Sequence, residues 1–180
     1  MVEDLVFRGR ARVLSDDEGR LIADIDTDMI FHNSFLHITD IGEMGKYALG
    51  NLNGWSDFAS KARPGDIVVA GANFGCGSSR QQAVDAFRSL GVGALIAASF
   101  GAIYLRNAIN SALAAGRCPT LTQWNAIDPP IRSGDEVEVD FASGRFSNLT
   151  RGIEIGAVDA WSNVQKDIYT AGGLLKRVAC

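Results

Sequence analysis

No stretch of this chain of 180 residues approaches the roughly 20 consecutive apolar residues that span a bilayer, so no membrane role is expected. Cysteine is scarce. Cys76, Cys118 and Cys180 are three in number and irregularly spaced, which gives no disulfide framework. The same spacing gives no local ligand set for zinc or an iron–sulfur cluster. His32 and His37 are the only histidines and have no spaced cysteine partner. If metal chemistry is involved, the metal belongs on another chain. Positive charge is thin as well: Lys and Arg total 17 against 21 Asp and Glu, a net charge of −4. The basic residues are scattered rather than gathered in the stripe that tracks phosphates, so nucleic-acid binding is not expected. Residues 1–4 open with acid, whereas a secretory signal starts basic and then turns apolar, and a cytoplasmic protein is the expectation.

What is present is an ordinary globular balance, 47% hydrophobic and 21% charged, with no repeat and no low-complexity segment. The length suits a single domain, residues 1–180, able to build one core without staples. Residues 5–13 alternate and predict a strand, and residues 20–25 predict a second. The polar stretch from Asp26 to Thr39 reads as a long surface loop. Asp40 is placed to cap a helix over 41–49 stopped by Gly50, and Ser56 to cap a short helix reaching Lys61. Residues 63–66 form a turn.

The middle of the chain is the clearest part. Residues 66–70 (DIVVA) make a short apolar strand, residues 71–77 a glycine-rich loop, and residues 78–90 carry apolar side chains at helical spacing. Residues 94–98 (ALIAA) predict another strand, and Ser99 is placed to cap a helix over 101–114. Strands that are apolar on both faces, alternating with helices, argue a parallel sheet covered by helices. After Pro129 and Pro130 the pattern changes: EVEVD at 136–140 alternates, Ser143-Gly144 turns the chain, and residues 145–147 return as a hairpin. Residues 152–157 offer a further strand and residues 158–171 a helix ended by Gly172-Gly173. The expected fold is therefore α/β, a mixed and mainly parallel sheet with flanking helices and an antiparallel portion in the last third.

The sharpest feature is residues 71–80, GANFGCGSSR. Its glycines let backbone approach a ligand closely and reach positive φ. Two hydroxyls and a guanidinium follow at a predicted helix start, where free N–H groups and the helix dipole favour an anion. Arg80 adds a planar fork suited to a carboxylate. The Gly-Lys-Ser/Thr ending of a phosphate P-loop is absent, and the spacing is wrong for a dinucleotide fingerprint. A plainer reading has Ser78 capping the helix and the glycines only turning the chain, and local physics leaves both open.

This run resembles the signature loop of the aconitase superfamily's swivelling domain, above all that of 3-isopropylmalate dehydratase small subunits. Three further segments agree in order: Asp26-Thr27-Asp28 with Ile30, residues 98–110 with Arg106-Asn107-Ala108-Ile109-Asn110, and Gly172-Gly173-Leu174-Leu175. Two places depart from the pattern. Gln81-Gln82 stand where Glu-His is usual, and residues 111–116 replace a Gly-Leu/Ile-Pro run. Gln81-Gln82 favours one rival, a non-catalytic anion-binding module of the same fold.

The resemblance implies a swivelling β/β/α domain that works with a large subunit, on which a four-iron four-sulfur cluster is expected. It implies a small hydroxy diacid as substrate, with 2-isopropylmalate/3-isopropylmalate of leucine biosynthesis foremost. Homoaconitate, citraconate/methylmalate and dimethylmalate are the related alternatives. By motif position Ser78 is the base, Arg80 the carboxylate clamp, Ser79 an orienting partner and Asp28 a nearby carboxylate that orients an arginine or water. Gly77 and Cys76 lie in the substrate-binding loop, Cys76 either near the substrate or as a small buried apolar side chain. Phe35, Leu36, His37 and Ile38 occupy the segment that meets the variable substituent. Arg106 can face the site, a partner or solvent, and Trp55, Trp124 and Trp161 read as core or interface residues.

Overall fold

The computed structural model describes residues 5–179; the acidic opening at residues 1–4 and Cys180 lie outside them. One seven-stranded sheet organises the chain, in the order β4-β3-β2-β1-β5-β6-β7. The strands are β1 (Val6–Val13), β2 (Ile67–Ala70), β3 (Ala94–Ala97), β4 (Ala115–Arg117), β5 (Glu136–Asp140), β6 (Arg145–Asn148) and β7 (Ile153–Ala157). β1 to β4 pair in parallel, and β1-β5, β5-β6 and β6-β7 pair antiparallel. The sheet is mixed as expected, but its two kinds of pairing are evenly divided, because β1 serves as the seam and carries one of each.

The apolar runs at 66–70 and 94–98 are sorted by the two-residue period of a strand. Val68, Ala70, Leu95 and Ala97 enter one cluster with Leu14, Phe31, Phe58, Phe74, Phe87 and Tyr104. Ile67, Val69, Ala94 and Ile96 enter the other with Val137, Phe141, Phe146 and Trp161. Both faces of the parallel half are thus covered. α4 (Gln81–Ser89) and α5 (Ala102–Asn110) connect β2 to β3 and β3 to β4. α6 (Asn163–Thr170) is closed by a reciprocal cap between Ser162 and Gln165, and α7 (Leu174–Val178) follows Gly173. All three tryptophans are anchored by their indole N–H: Trp161 to Ala115 O, Trp55 to Ser15 O and Trp124 to Gly19 O.

Several expectations need correction. Residues 20–25 form no strand. They run past the end of β2, broken by Asp24 at φ +54°, with one bridge from Leu21 to Ser15 and bonds from Gly71 N–H to Ile22 O and from Asp24 N–H to Ala72 O. The segment after Asp26 is not a surface loop throughout. Asp26 caps α1 (Thr27–Ile30) by accepting from the N–H groups of Asp28 and Met29, both at 2.8 Å, and Ile30 and Phe31 are wholly buried. Asp40 does cap a helix, but α2 (Ile41–Met44) tightens into a 3-10 turn, Gly45–Tyr47, rather than continuing to residue 49. α3 (Phe58–Lys61) begins after Asp57, not Ser56. Ser99 caps no helix; its hydroxyl accepts from Asn73 N–H, and Gly101 precedes α5.

Candidate active site

α4 begins three residues later than its apolar spacing suggests. Arg80 has extended backbone, φ −132° and ψ 113°, and is the residue that enters the helix. Ser78 and Ser79 therefore lie in the irregular turn ahead of the helix, and Ser78 is not its cap. Within that turn the N–H groups of Gly77, Ser78 and Ser79 have no acceptor among the described residues. An anion cradle, if formed here, is built from turn amides with the helix dipole behind them, rather than from the first helical turn.

Backbone freedom shapes the turn. Gly75 has φ +73°, and a Cβ there would sit 2.2 Å from Tyr104 Cγ, so the loop closes over an aromatic ring only with glycine. Tyr104 is buried and its hydroxyl donates to Ala83 O at 3.1 Å, which holds the ring beneath the loop. Burial pushes its phenol well above the usual range, so it stays protonated. A Cβ at Gly77, which has φ +84°, would lie 3.6 Å from the Asp26 Cβ.

The N-terminal Asp-Thr-Asp segment and this loop meet. Asp26 and Cys76 form a parallel bridge, Thr27 N–H donates to Cys76 O at 3.0 Å, and Thr27 Oγ1 donates to Ser78 O at 2.8 Å. Arg80 Nη1 donates to Asp28 Oδ1 at 2.5 Å and to Phe31 O at 3.2 Å. The Arg80 hydrogen bond, seconded by Asn33 N–H, holds the Asp28 carboxyl below its usual range against a smaller opposing effect of burial. His32 Nε2 lies 3.9 Å from the other Asp28 oxygen. The turn-forming work is done by Asp26, which leaves Asp28 free to pair with Arg80. Ser78 is exposed, and Asn107 Nδ2 donates to Ser79 Oγ at 3.3 Å.

Cys76 is half-buried, and burial followed by Asp26 and Asp24 raises its thiol, which keeps it neutral rather than nucleophilic. Phe35 and Ile38 pack against the first core cluster, Phe35 stacking on Tyr47 at 4.1 Å. Leu36 and His37 point outward, with His37 Nδ1 3.0 Å from Ser34 O. Of the four residues expected in that segment, two are turned to the core and two to the surface. Arg106 is exposed. Thr27 and Asn107 are the partners that local sequence reading misses, because their bonds join residues 51 and 28 positions apart.

The space around Ser78, Ser79, Arg80, Ile103 and Asn107 amounts to ≈ 10 Å³. That is room for about one water, far below the roughly 300 Å³ at which small-molecule pockets begin. A groove of ≈ 540 Å³ adjoins it at Asn107, between Gln81, Ser111 and Gly173. In that groove Gln81 Nε2 donates to Ser111 Oγ at 2.8 Å and to Asp85 Oδ1 at 3.3 Å. The two departures from the family pattern are thereby bonded to each other and leave the Asp28–Arg80 pair untouched. Among the described residues no group of three or more His, Cys, Asp or Glu is arranged to hold a metal ion, so an iron–sulfur cluster does not fit here. Among the described residues no helix is long and apolar enough to cross a membrane.

Comparison with known proteins bears on the family and the fold. The family described as "Aconitase C-terminal domain" matches residues 50–116. The 3-isopropylmalate dehydratase small subunit of Caldicellulosiruptor bescii is 40% identical over 174 residues, 97% of this chain and 95% of that protein. The 2,3-dimethylmalate dehydratase small subunit of Eubacterium barkeri is 38% identical over 154 residues, 86% of this chain and 89% of that protein. Among solved structures, the crystal structure of 3-isopropylmalate dehydratase from Methanocaldococcus jannaschii superimposes with a TM-score of 0.80 at 32% identity, covering 97% of this chain and 93% of that one. With near-complete coverage of both the sequence and the fold, the chain belongs to the family of 3-isopropylmalate dehydratase small subunits, within the aconitase superfamily.

Proposed function

We propose that this chain is the small subunit of a two-subunit cytoplasmic hydro-lyase that isomerises a hydroxy diacid by removing and re-adding water, with 2-isopropylmalate/3-isopropylmalate of leucine biosynthesis as the substrate. The observation that carries the reading is the open serine turn. An exposed hydroxyl, unpaired amides and a half-used guanidinium converge where this chain supplies one wall and almost no cavity. A second protein must supply the other wall.

In this reading Ser78 Oγ, as the alkoxide, takes the proton from the carbon next to a carboxylate. The electron pair of that C–H bond forms the C=C bond as the C–O bond at the neighbouring carbon breaks, the departing hydroxide takes up a proton and leaves as water, and water re-adds with the positions of H and OH exchanged. A serine hydroxyl is a poor base at neutral pH, so its ionised form needs local positive potential. The free N–H groups of the turn, the helix dipole and Arg80 supply it. Arg80 spends Nη1 on Asp28 and Phe31, which leaves its remaining donors for a substrate carboxylate. Ser79, held by Asn107, is placed to orient substrate or Ser78. The four-iron four-sulfur cluster that the family resemblance implies would sit on the large subunit.

A dimethylmalate-type substrate is the second reading, favoured by the similarity to the Eubacterium barkeri protein. Substrates that differ by a methyl or methylene separate by only about 1–3 kcal/mol in an apolar pocket, so a panel of hydroxy diacids decides between them. The test is anaerobic reconstitution with the cognate large subunit and iron, followed by ultraviolet absorbance of the unsaturated intermediate. Ser78→Ala should lower turnover about 10²- to 10⁴-fold while the two subunits still co-purify. Wild-type rates in that variant, or dehydratase activity in the isolated chain, would overturn the reading.

A further inference from the structure

The Asp26-Thr27-Asp28 segment holds every second residue of the serine turn. Asp26 bridges to Cys76, Thr27 bonds the carbonyls of both Cys76 and Ser78, and Asp28 bonds the guanidinium of Arg80. The bond to Ser78 is the one with no alternative. The next backbone tie before it is at Cys76, and the next after it is the entry to α4. Gly77 lies between Cys76 and Ser78 at φ +84°, where a Cβ would meet only Asp26 and Thr27 at ordinary van der Waals distance, and as a glycine it is a joint about which the serine can swing. Thr27 itself is 2% exposed and its residue forms the first position of α1, whose cap is the Asp26 carboxylate. A β-branched side chain in a helix has few rotamers, so its hydroxyl is a fixed donor.

We infer that Thr27 is the positioning residue for Ser78: its hydroxyl pins the Ser78 carbonyl and thereby sets the direction of the Ser78 hydroxyl and of the Ser79 N–H. The inference rests on the proposed role of Ser78 as the base. A hydroxyl about 1 Å out of place costs about 100-fold in rate. Substrate binding by Arg80 does not depend on Thr27, because Arg80 is held independently by Asp28 and Phe31.

The experiment uses the reconstituted two-subunit enzyme. Thr27→Val keeps the shape and removes the donor; kcat should fall about 10- to 100-fold with KM little changed. Thr27→Ser keeps the donor and should recover most of the rate. In a Ser78→Ala background Thr27→Val should have no further effect, since residues acting as one unit are not additive. An unchanged kcat in Thr27→Val, with Ser78→Ala inactive, overturns this inference and leaves the function standing. A fully active Ser78→Ala overturns the function first. Should Thr27→Val fail to assemble, Thr27→Cys, a weak and longer donor, takes its place. An intermediate kcat supports the inference and a wild-type kcat defeats it.

Discussion

Residues 71–80 are tied to the molecule by bonds to residues distant in sequence, whereas residues 33–39 bond to one another or to Asp28 and His32, within five positions along the chain. In the serine loop Gly71 and Gly75 donate to Ile22 and Ile25, Phe74 to Ser99, and the Ser78 carbonyl and Arg80 are held from α1 and Phe31. In the second segment Phe35 donates to His32, Leu36 to Asn33 and Ile38 to Phe35, all local turns. One atom joins the two regions: Asp28 Oδ1 accepts from both Arg80 Nη1 and Asn33 N–H. The difference suits a division of labour. Groups that move a proton need fixed geometry, and groups that meet a variable substituent need only a surface that can be re-lettered without cost to the fold.

The harshest way to test the first half of that contrast is Gly75→Ala. The new methyl would meet Tyr104 Cγ at 2.2 Å and the residue would keep φ +73°. Strained backbone and overpacking together should cost about 3 kcal/mol, a fall of roughly 10 °C in melting temperature for a chain of this size. Thermal unfolding measures it. A variant as stable as the parent would mean that the loop is not clamped over the tyrosine.

The second half is sharpened by a pair of adjacent substitutions. Phe35 stacks on Tyr47 and packs against the core cluster, so Phe35→Ala should cost about 2 kcal/mol, less than a fully buried phenylalanine. Leu36 is 39% exposed, and Leu36→Ala should change stability by less than about 0.5 kcal/mol. It should instead shift relative kcat/KM among hydroxy diacids by about tenfold. Chemical denaturation and the substrate panel read the two effects separately. Equal loss of stability at both positions would erase the distinction between an anchored and a presented residue.

Much of the fold was legible because its strands are short apolar runs bounded by glycine and its helices carry apolar stripes. The runs at 66–70 and 94–98 became β2 and β3, and EVEVD became β5. The errors share one cause. Residues 20–25 look like a strand but lie beyond the end of their neighbour, where only scattered bonds form. Ile30 and Phe31 sit in polar sequence yet are buried, because α1 folds over the parallel half. Ser78 looks like a cap because serine precedes an apolar stripe, but Arg80 is drawn into extended backbone with its side chain bonded to Asp28. The residues proposed for the chemistry are read from the motif alone. What holds them is not, since Thr27 and Asn107 reach them only through the tertiary fold.

The smallest expected effect concerns the atom that links the two regions. The Arg80 bond holds the Asp28 carboxyl below its ordinary value, so the pair stabilises the folded state at and above the ordinary carboxylate range, near pH 4. That contribution is lost as pH falls through the lowered value. The Asp28 side chain is 33% exposed, so solvent screens the pair and its worth is at most about 1 kcal/mol. Asp28→Asn should therefore be slightly less stable than the parent at pH 7, and the gap should close as the solution is taken below the lowered value, because the parent then loses the same charge. Denaturation midpoints followed from pH 7 into acid measure it. A gap that persists unchanged in acid would mean that Asp28 acts through shape or neutral hydrogen bonding, and that the link between the serine turn and the neighbouring segment does not depend on its charge.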